Sequence, residues 1–283
     1  MTPAAAPTRV ALGQCAVEIE CRASEIHEHL DFLLRDTRRE GGEVQTRFVI
    51  DRREDDGYVV SRNDAACFTA ATPGELCTSL VGEIIYHLIE NNSRELLIHA
   101  ACLVRGDLGI LLPGVSGSGK STLCAWLISR GFGYLTDELV SIDPGSFEVD
   151  AFTRPLNIKH GGMEAVQRRF GGGFGAGETL EGSISHLVPH RLFGAPCAAS
   201  LPRVSVVVFP RYASSADFSL ERLTPARTAM LLMQTFVNAR NHDEHGFHHI
   251  AAFARTVTGY LLRYSDFSQL DVLERELSAP AQS

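Results

Sequence analysis

The run Gly114-Val115-Ser116-Gly117-Ser118-Gly119-Lys120-Ser121 places glycines, a lysine and a hydroxyl at the spacing G-x-x-x-x-G-K-[ST]. The chemistry open to that spacing is the grip of a polyphosphate. Glycines let successive backbone N–H groups turn inward around an anion, and a helix starting near Lys120 aims its positive end at the same point. Lys120 can reach the β and γ oxygens of a nucleoside triphosphate such as ATP, and the Ser121 hydroxyl can ligate Mg²⁺. Gly114, Ser116, Gly117, Ser118, Gly119, Lys120, Ser121 and Thr122 are therefore the expected nucleotide-binding residues. Composition singles out Lys120 again. Of the 26 basic residues only Lys120 and Lys159 are lysines, in a chain that writes every other positive charge as arginine. The two side chains differ in geometry and hydration, so both positions are candidates for specific chemistry.

A phosphate loop needs a carboxylate at the end of a neighbouring strand to hold the hydrated metal. Asp137-Glu138 follows Lys120 at a distance that fits helix, turn and strand. Adjacent residues of an extended strand point to opposite faces, so one carboxylate can act as a base while the other reaches metal or a supporting partner. His99 lies in an apolar strand that leads by a hairpin into the strand feeding the loop, which brings it to the phosphate edge. Arg154 and Lys159 follow the acidic strand and can stabilise γ-phosphate charge or hold a phosphorylated product. The tract His242-Asp243-Glu244-His245-Gly246-Phe247-His248-His249 is rich in metal-ligand types, but Gly246 breaks it and no helical period organises it. A mobile loop that touches substrate suits it better than a metal site. The glycine-dense stretch 171–177 is a candidate substrate cover.

These residues need elements to position them. Cys15, Val17, Ile19 and Cys21 alternate with polar residues as in a half-buried strand. Ser24 opens a helical stripe of Ile26, Leu30, Leu33 and Leu34, and a hairpin joins Phe48–Ile50 to Tyr58–Ser61 through Asp55-Asp56-Gly57. Thr72-Pro73-Gly74-Glu75 starts a second helix with a cap, a proline at its first position and a capping glutamate. Residues 1–93 thus form an N-terminal α/β region, either a small domain or a flank of the main one, and 94–283 the P-loop domain. In the latter, strands Leu96–Val104 and Leu108–Leu112 precede the loop, helix Ser121–Ser129 follows it, and strand Tyr134–Ile142 carries the acidic pair. Further on, a short helix lies around Met163–Phe170, and strand Val204–Phe209 is closed by Pro210-Arg211. Helices begin at Thr224-Pro225, around Ala251–Leu262 and around Ser268–Leu277.

With 283 residues, 45% apolar and 21% charged, the chain can bury a sizeable core. A net charge of -8 argues against nucleic acid, and no apolar run is long enough to span a bilayer, so no membrane is expected. The start Met1-Thr2-Pro3-Ala4-Ala5-Ala6-Pro7 lacks the basic and apolar regions of a secretory signal. Seven scattered cysteines without a Cys-x-x-Cys pair read as reduced thiols in a cytoplasmic protein.

Ile98-His99, the loop Gly114–Ser121, Arg130-Gly131 and Asp137-Glu138 together resemble the HPr kinase/phosphorylase family and its relatives in peptide-tailoring clusters, including lasso-peptide kinases. The resemblance runs from Leu96 to Lys159, with a weaker likeness through Phe209-Pro210-Arg211. It implies an α/β core of the HPr kinase/phosphoenolpyruvate carboxykinase type, a mixed sheet with flanking helices. It also implies a kinase using ATP and Mg²⁺ in which Asp137 activates the acceptor hydroxyl, His99 lies near it, and Ser121 with Glu138 serves the metal. The parent enzyme has Asp-Asp where this chain has Asp137-Glu138, and the Glu-x-Arg-Gly-x-Gly segment of the bifunctional enzymes is missing. Phosphorylase activity and HPr as acceptor are therefore left open. The expectation is γ-phosphoryl transfer to a hydroxyl, a serine, of a peptide or small protein, with Arg154 offsetting developing charge. The alternatives are an amino-acid or sugar kinase and a nucleotide-binding regulatory module. A homo-oligomer is left open.

Overall fold

The computed structural model describes residues 6–37, 40–170, 174–175, 177–182, 184–194 and 203–278. The alternation at Cys15 is the second strand of a five-stranded sheet. Its members, hydrogen-bonded in chain order, are β1 (Thr8–Leu12), β2 (Cys15–Cys21), β3 (Glu43–Arg52), β4 (Tyr58–Arg62) and β5 (Ala65–Ala70). Helix α1 (His27–Leu34) connects the parallel pair β2 and β3, and α2 (Pro73–Asn91) follows β5. Thr72 caps α2, its hydroxyl accepting from Glu75 N at 3.2 Å. Glu75 reaches one residue further back than a capping box requires, accepting from Ala71 N at 2.9 Å. The stripe Leu76, Leu80, Val81, Ile84 and Leu88 is buried in one core with Val17, Ile19, Phe48 and Ile50. That core runs on into Leu97, Leu139 and Phe152, so the N-terminal layer packs directly on the strands that carry the acidic pair.

The second half is built on an eight-stranded mixed sheet. Strands β6 (Leu96–Arg105) and β7 (Leu108–Pro113) form the expected hairpin, turned at Gly106. Helix α3 (Lys120–Ser129) leaves the phosphate loop and returns to β8 (Gly133–Thr136), β9 (Leu139–Ile142) and β10 (Val149–Ala151). Next come β11 (Leu156–Lys159), α4 (His160–Phe170), β12 (Leu180–Glu181) and β13 (Ser185–Val188). The chain closes with β14 (Val204–Tyr212), β15 (Ser219–Leu223), α5 (Pro225–Met233), α6 (Phe247–Ala254), β16 (Thr258–Tyr264) and α7 (Asp271–Ser278). The large sheet runs β10-β9-β6-β7-β14-β16-β15, with β8 also on β6, while β11-β13-β12 form a small separate sheet. The parallel neighbours β7, β14 and β16 put the phosphate loop at the end of a central strand, where a ligand crevice is expected. Helix α3 is buried nearly all round, from Leu123 through Ile128, which explains why its sequence shows no amphipathic stripe.

Three expectations are corrected. The single strand Tyr134–Ile142 is two, β8 and β9, interrupted at Asp137-Glu138, where Ala100 N donates to Glu138 O at 3.2 Å; the pairing with β6 shifts register just before, between Tyr134 and Thr136. The helix read over Ala251–Leu262 ends at Ala254, and Thr258–Tyr264 is a strand instead. Leu261, Leu262 and Tyr264 are buried there against the parallel β14, and sheet pairing outweighs the helical pattern of a short apolar run. Strand β14 runs on through Pro210-Arg211 to Tyr212. Of the glycine-dense stretch, Gly171, Gly172, Gly173 and Ala176 lie outside the described residues.

Candidate functional site

The phosphate loop is shaped by backbone that other residues resist. Gly117 and Gly119 have φ of 87° and 88°, in the left-handed region. A Cβ on Gly119 would lie 2.5 Å from the Tyr264 hydroxyl and 2.8 Å from Tyr212 Cβ; one on Gly114 would lie 2.4 Å from Ser118 Oγ. The loop is tied down from outside: Tyr264 donates its hydroxyl proton to Gly119 O at 3.1 Å, and Tyr212 N donates to Ser118 O at 3.1 Å. The amides of α3's first turn have no acceptor within the helix. The Ser118 hydroxyl is buried and has no hydrogen-bond partner. An orphaned buried hydroxyl, unfilled first-turn amides and a lysine in one cradle fit a bound phosphate.

Behind the loop a chain of polar contacts joins the residues expected to do chemistry. Lys120 Nζ is 2.7 Å from His99 Nε2, and His99 Nδ1 is 3.2 Å from Glu138 Oε1. The ammonium donates to Nε2, which fixes the imidazole proton on Nδ1, where it is donated to Glu138. Glu138 Oε2 accepts from Arg154, which also faces Asp137 Oδ1 at 3.4 Å. Asp137 Oδ2 accepts from Asn157 N at 3.0 Å, and Tyr134 donates its hydroxyl proton to Arg154 O at 2.8 Å. Burial lowers the Lys120 pKa, with Asp137 and Glu138 opposing it. Burial would raise Glu138, yet Arg154, then His99 and Lys120, hold its carboxyl well below the usual range. Arg154 is held charged against burial by Asp137 and Glu138.

Two expectations change here. The carboxylates do not divide between opposite faces: both meet Arg154. Arg154, expected to offset developing phosphate charge, is 3% exposed and turns one amino group onto the pair while it also lines the cavity described below. The pair itself is graded in access. The Asp137 side chain is 1% exposed and that of Glu138 is 20%.

A cavity of about 800 Å³ gathers the phosphate loop from Val115 through Thr122 together with His99, Asp137, Glu138, Arg154 and Lys159. Gly114 stands just outside its lining, buttressing Ser118. Lys159 ends β11 and makes no hydrogen bond or ion pair among the described residues, which leaves its ammonium free for a ligand. Gly162 of α4 comes close to Thr122, where an added Cβ would be 3.1 Å from its hydroxyl oxygen. The remaining walls come from Asn157, Arg168, Ile184, Ser185, Tyr212, Tyr264 and Phe267. Sequence reading missed these; they arrive from separate segments, and only the register of β14 and β16 brings Tyr212 and Tyr264 together. The His242–His249 tract does not converge. His242 is turned to Asn238 and Glu95 O, while the rings of His248 and His249 lie against each other, tilted by 43° with centres 3.8 Å apart.

No protein-family profile matches the chain. Over 77 residues, 27% of its length, it is 34% identical to the HPr kinase/phosphorylase of Aromatoleum aromaticum. Over those residues the chain is similar to an HPr kinase/phosphorylase. The match spans about a quarter (24%) of that relative's length. The HPr(Ser) kinase/phosphatase of Coxiella burnetii overlays 64% of this chain and 87% of its own, loosely, at 16% identity and a TM-score of 0.32. The mixed α/β architecture agrees with the fold class that the motifs implied. No helix among the described residues is long and apolar enough to cross a membrane.

Proposed function

We propose that the chain is a cytoplasmic kinase that transfers the γ-phosphoryl group of ATP, with Mg²⁺, to a serine hydroxyl of a peptide or small protein. The observation that carries this reading is the cavity in which the phosphate loop from Val115 onward meets the carboxylate pair. Bound MgATP supplies the transferable phosphoryl group. The chain's own residues bind, orient and accept a proton. Loop amides and the Ser118 hydroxyl hold phosphate oxygens, and Lys120 adds fixed charge. Ser121 and Glu138 are the hard oxygen donors suited to Mg²⁺, and Glu138 is kept anionic by Arg154 and His99. Asp137 takes the acceptor's proton. Its Oδ1 has only the long contacts to Arg154 (3.4 Å) and Tyr134 (3.5 Å), so it is the less committed oxygen. Lys159 stands at the mouth, placed to hold the phosphorylated product.

The test is incubation with γ-labelled ATP and candidate acceptors, followed by identification of the labelled residue. Label on serine of a peptide or small protein supports the reading. Label on a free amino acid or sugar, or release of phosphate alone with every acceptor tried, contradicts it.

A further inference from the structure

Outside the phosphate cavity, three metal-ligating side chains converge. His160, which follows β11 and opens α4, Glu181 of β12 and His186 of β13 bring one ligand atom each within 4.8 Å of one another. The register accounts for the meeting. Glu181 is paired across from His186, and Ile158, two residues before His160, is paired with His186 on the other side. Direct partners share a face of a sheet, and so do residues two apart along a strand. The backbone holds them there: His160 N donates to Ile184 O at 3.2 Å and Gly182 N to Ser185 O at 2.8 Å. The imidazoles of His160 and His186 are 4.8 Å apart, centre to centre. Among the described residues, none of the three side chains makes a hydrogen bond or ion pair, so no protein partner competes for their ligand atoms. No other three-ligand group occurs among the described residues, the conspicuous His242–His249 tract included.

We propose that His160, Glu181 and His186 form a divalent-metal site of the zinc class, completed by water, that ties the β12–β13 hairpin to the β11–α4 junction. Two imidazoles and one carboxylate select a borderline cation such as Zn²⁺ over Mg²⁺. Zinc bonds of about 2.0–2.2 Å in a tetrahedron put ligand atoms about 3.3 Å apart, so the three side chains, exposed or half-exposed, close by a short distance on binding. The tie bears on the cavity wall. Lys159, Gly161 and Gly162 flank His160, Ile184 and Ser185 precede His186, and all five line the cavity. Zinc binding here does not depend on the phosphoryl-transfer reading.

The test titrates the full chain, stripped with chelator, with ZnCl₂ alone, by calorimetry and by thermal unfolding, with and without millimolar MgCl₂. One zinc ion binds, Mg²⁺ does not displace it, and at saturation the melting temperature rises by about 5 °C or more. His160→Ala, Glu181→Gln and His186→Ala each weaken binding at least about tenfold, while His248→Ala/His249→Ala leaves it unchanged. Glu181→Gln keeps the side chain's shape, so its effect is not one of folding, and X-ray absorption shows two imidazole ligands. Absence of binding below about 100 µM zinc overturns the proposal, as does loss of binding in the His248/His249 variant or in Ser121→Ala instead.

Discussion

Arg154→Met removes the guanidinium on which both carboxylates converge. The side chain is 3% exposed, its partner Asp137 1% and Glu138 20%, so little water can replace it. Breaking a buried ion pair by deleting one partner costs about 3–5 kcal/mol, because the remaining charge stays desolvated. Two carboxylates are left here, and the upper half of that range applies. In the wild type the Glu138 carboxyl is held below its usual value, so its stabilisation is present above the unfolded carboxyl pKa of 4.5 and is lost only as pH falls through the depressed folded value. In the variant, burial and the neighbouring carboxylate push it the other way. Protonation then relieves the strain, and the deficit relative to wild type shrinks as pH falls from about 7 to about 5. Urea unfolding at both pH values measures this, and Arg154→Met/Glu138→Gln recovers part of the loss at neutral pH. A deficit below about 1 kcal/mol, or one that does not change with pH, refutes the claim that Arg154 works by holding the pair.

Gly119→Ala meets both the left-handed φ, at roughly 1–2 kcal/mol, and the Tyr212–Tyr264 wall; ATP affinity measured by calorimetry drops more than about tenfold. Gly82→Ala, on an exposed turn inside α2 with open space around it, stabilises the fold by roughly 0.5–1 kcal/mol in the same urea assay. Asp137→Asn keeps MgATP binding and loses transfer by about 10²-fold or more, whereas Glu138→Gln raises the Mg²⁺ concentration needed for binding. The two assignments are exchanged if Asp137→Asn changes the Mg²⁺ requirement and Glu138→Gln does not.

The local part of this site was legible because its chemistry is local. A glycine's left-handed φ, a lysine's reach and a hydroxyl on the first turn of a helix are fixed within Gly114–Thr122, and the hairpin β6–β7 is short enough to bring His99 alongside from sequence alone. What the sequence could not show depends on pairing between distant segments. Asp137-Glu138 sits at a break between two strands, and a regular alternation of side chains cannot signal it. Arg154 was recognised as a residue of interest but not as a buried counter-ion, because burial is a property of the packed sheet. Tyr264 was hidden by an apolar run short enough to read as helix, and only the parallel neighbour β14 decides that it is strand. The same holds for His160, Glu181 and His186, which are unremarkable in sequence and adjacent only through the register of β11, β12 and β13.

The central claim is that the cradle between β7 and α3 holds a triphosphate through Lys120 in front of the carboxylate pair. Calorimetric titration of MgATP into the wild-type chain and into Lys120→Met tests it most directly. One site in the wild type, weakened at least about tenfold in the variant with the fold intact by circular dichroism, is the expected result. No measurable binding to the wild type, or equal affinity in the two proteins, contradicts the account.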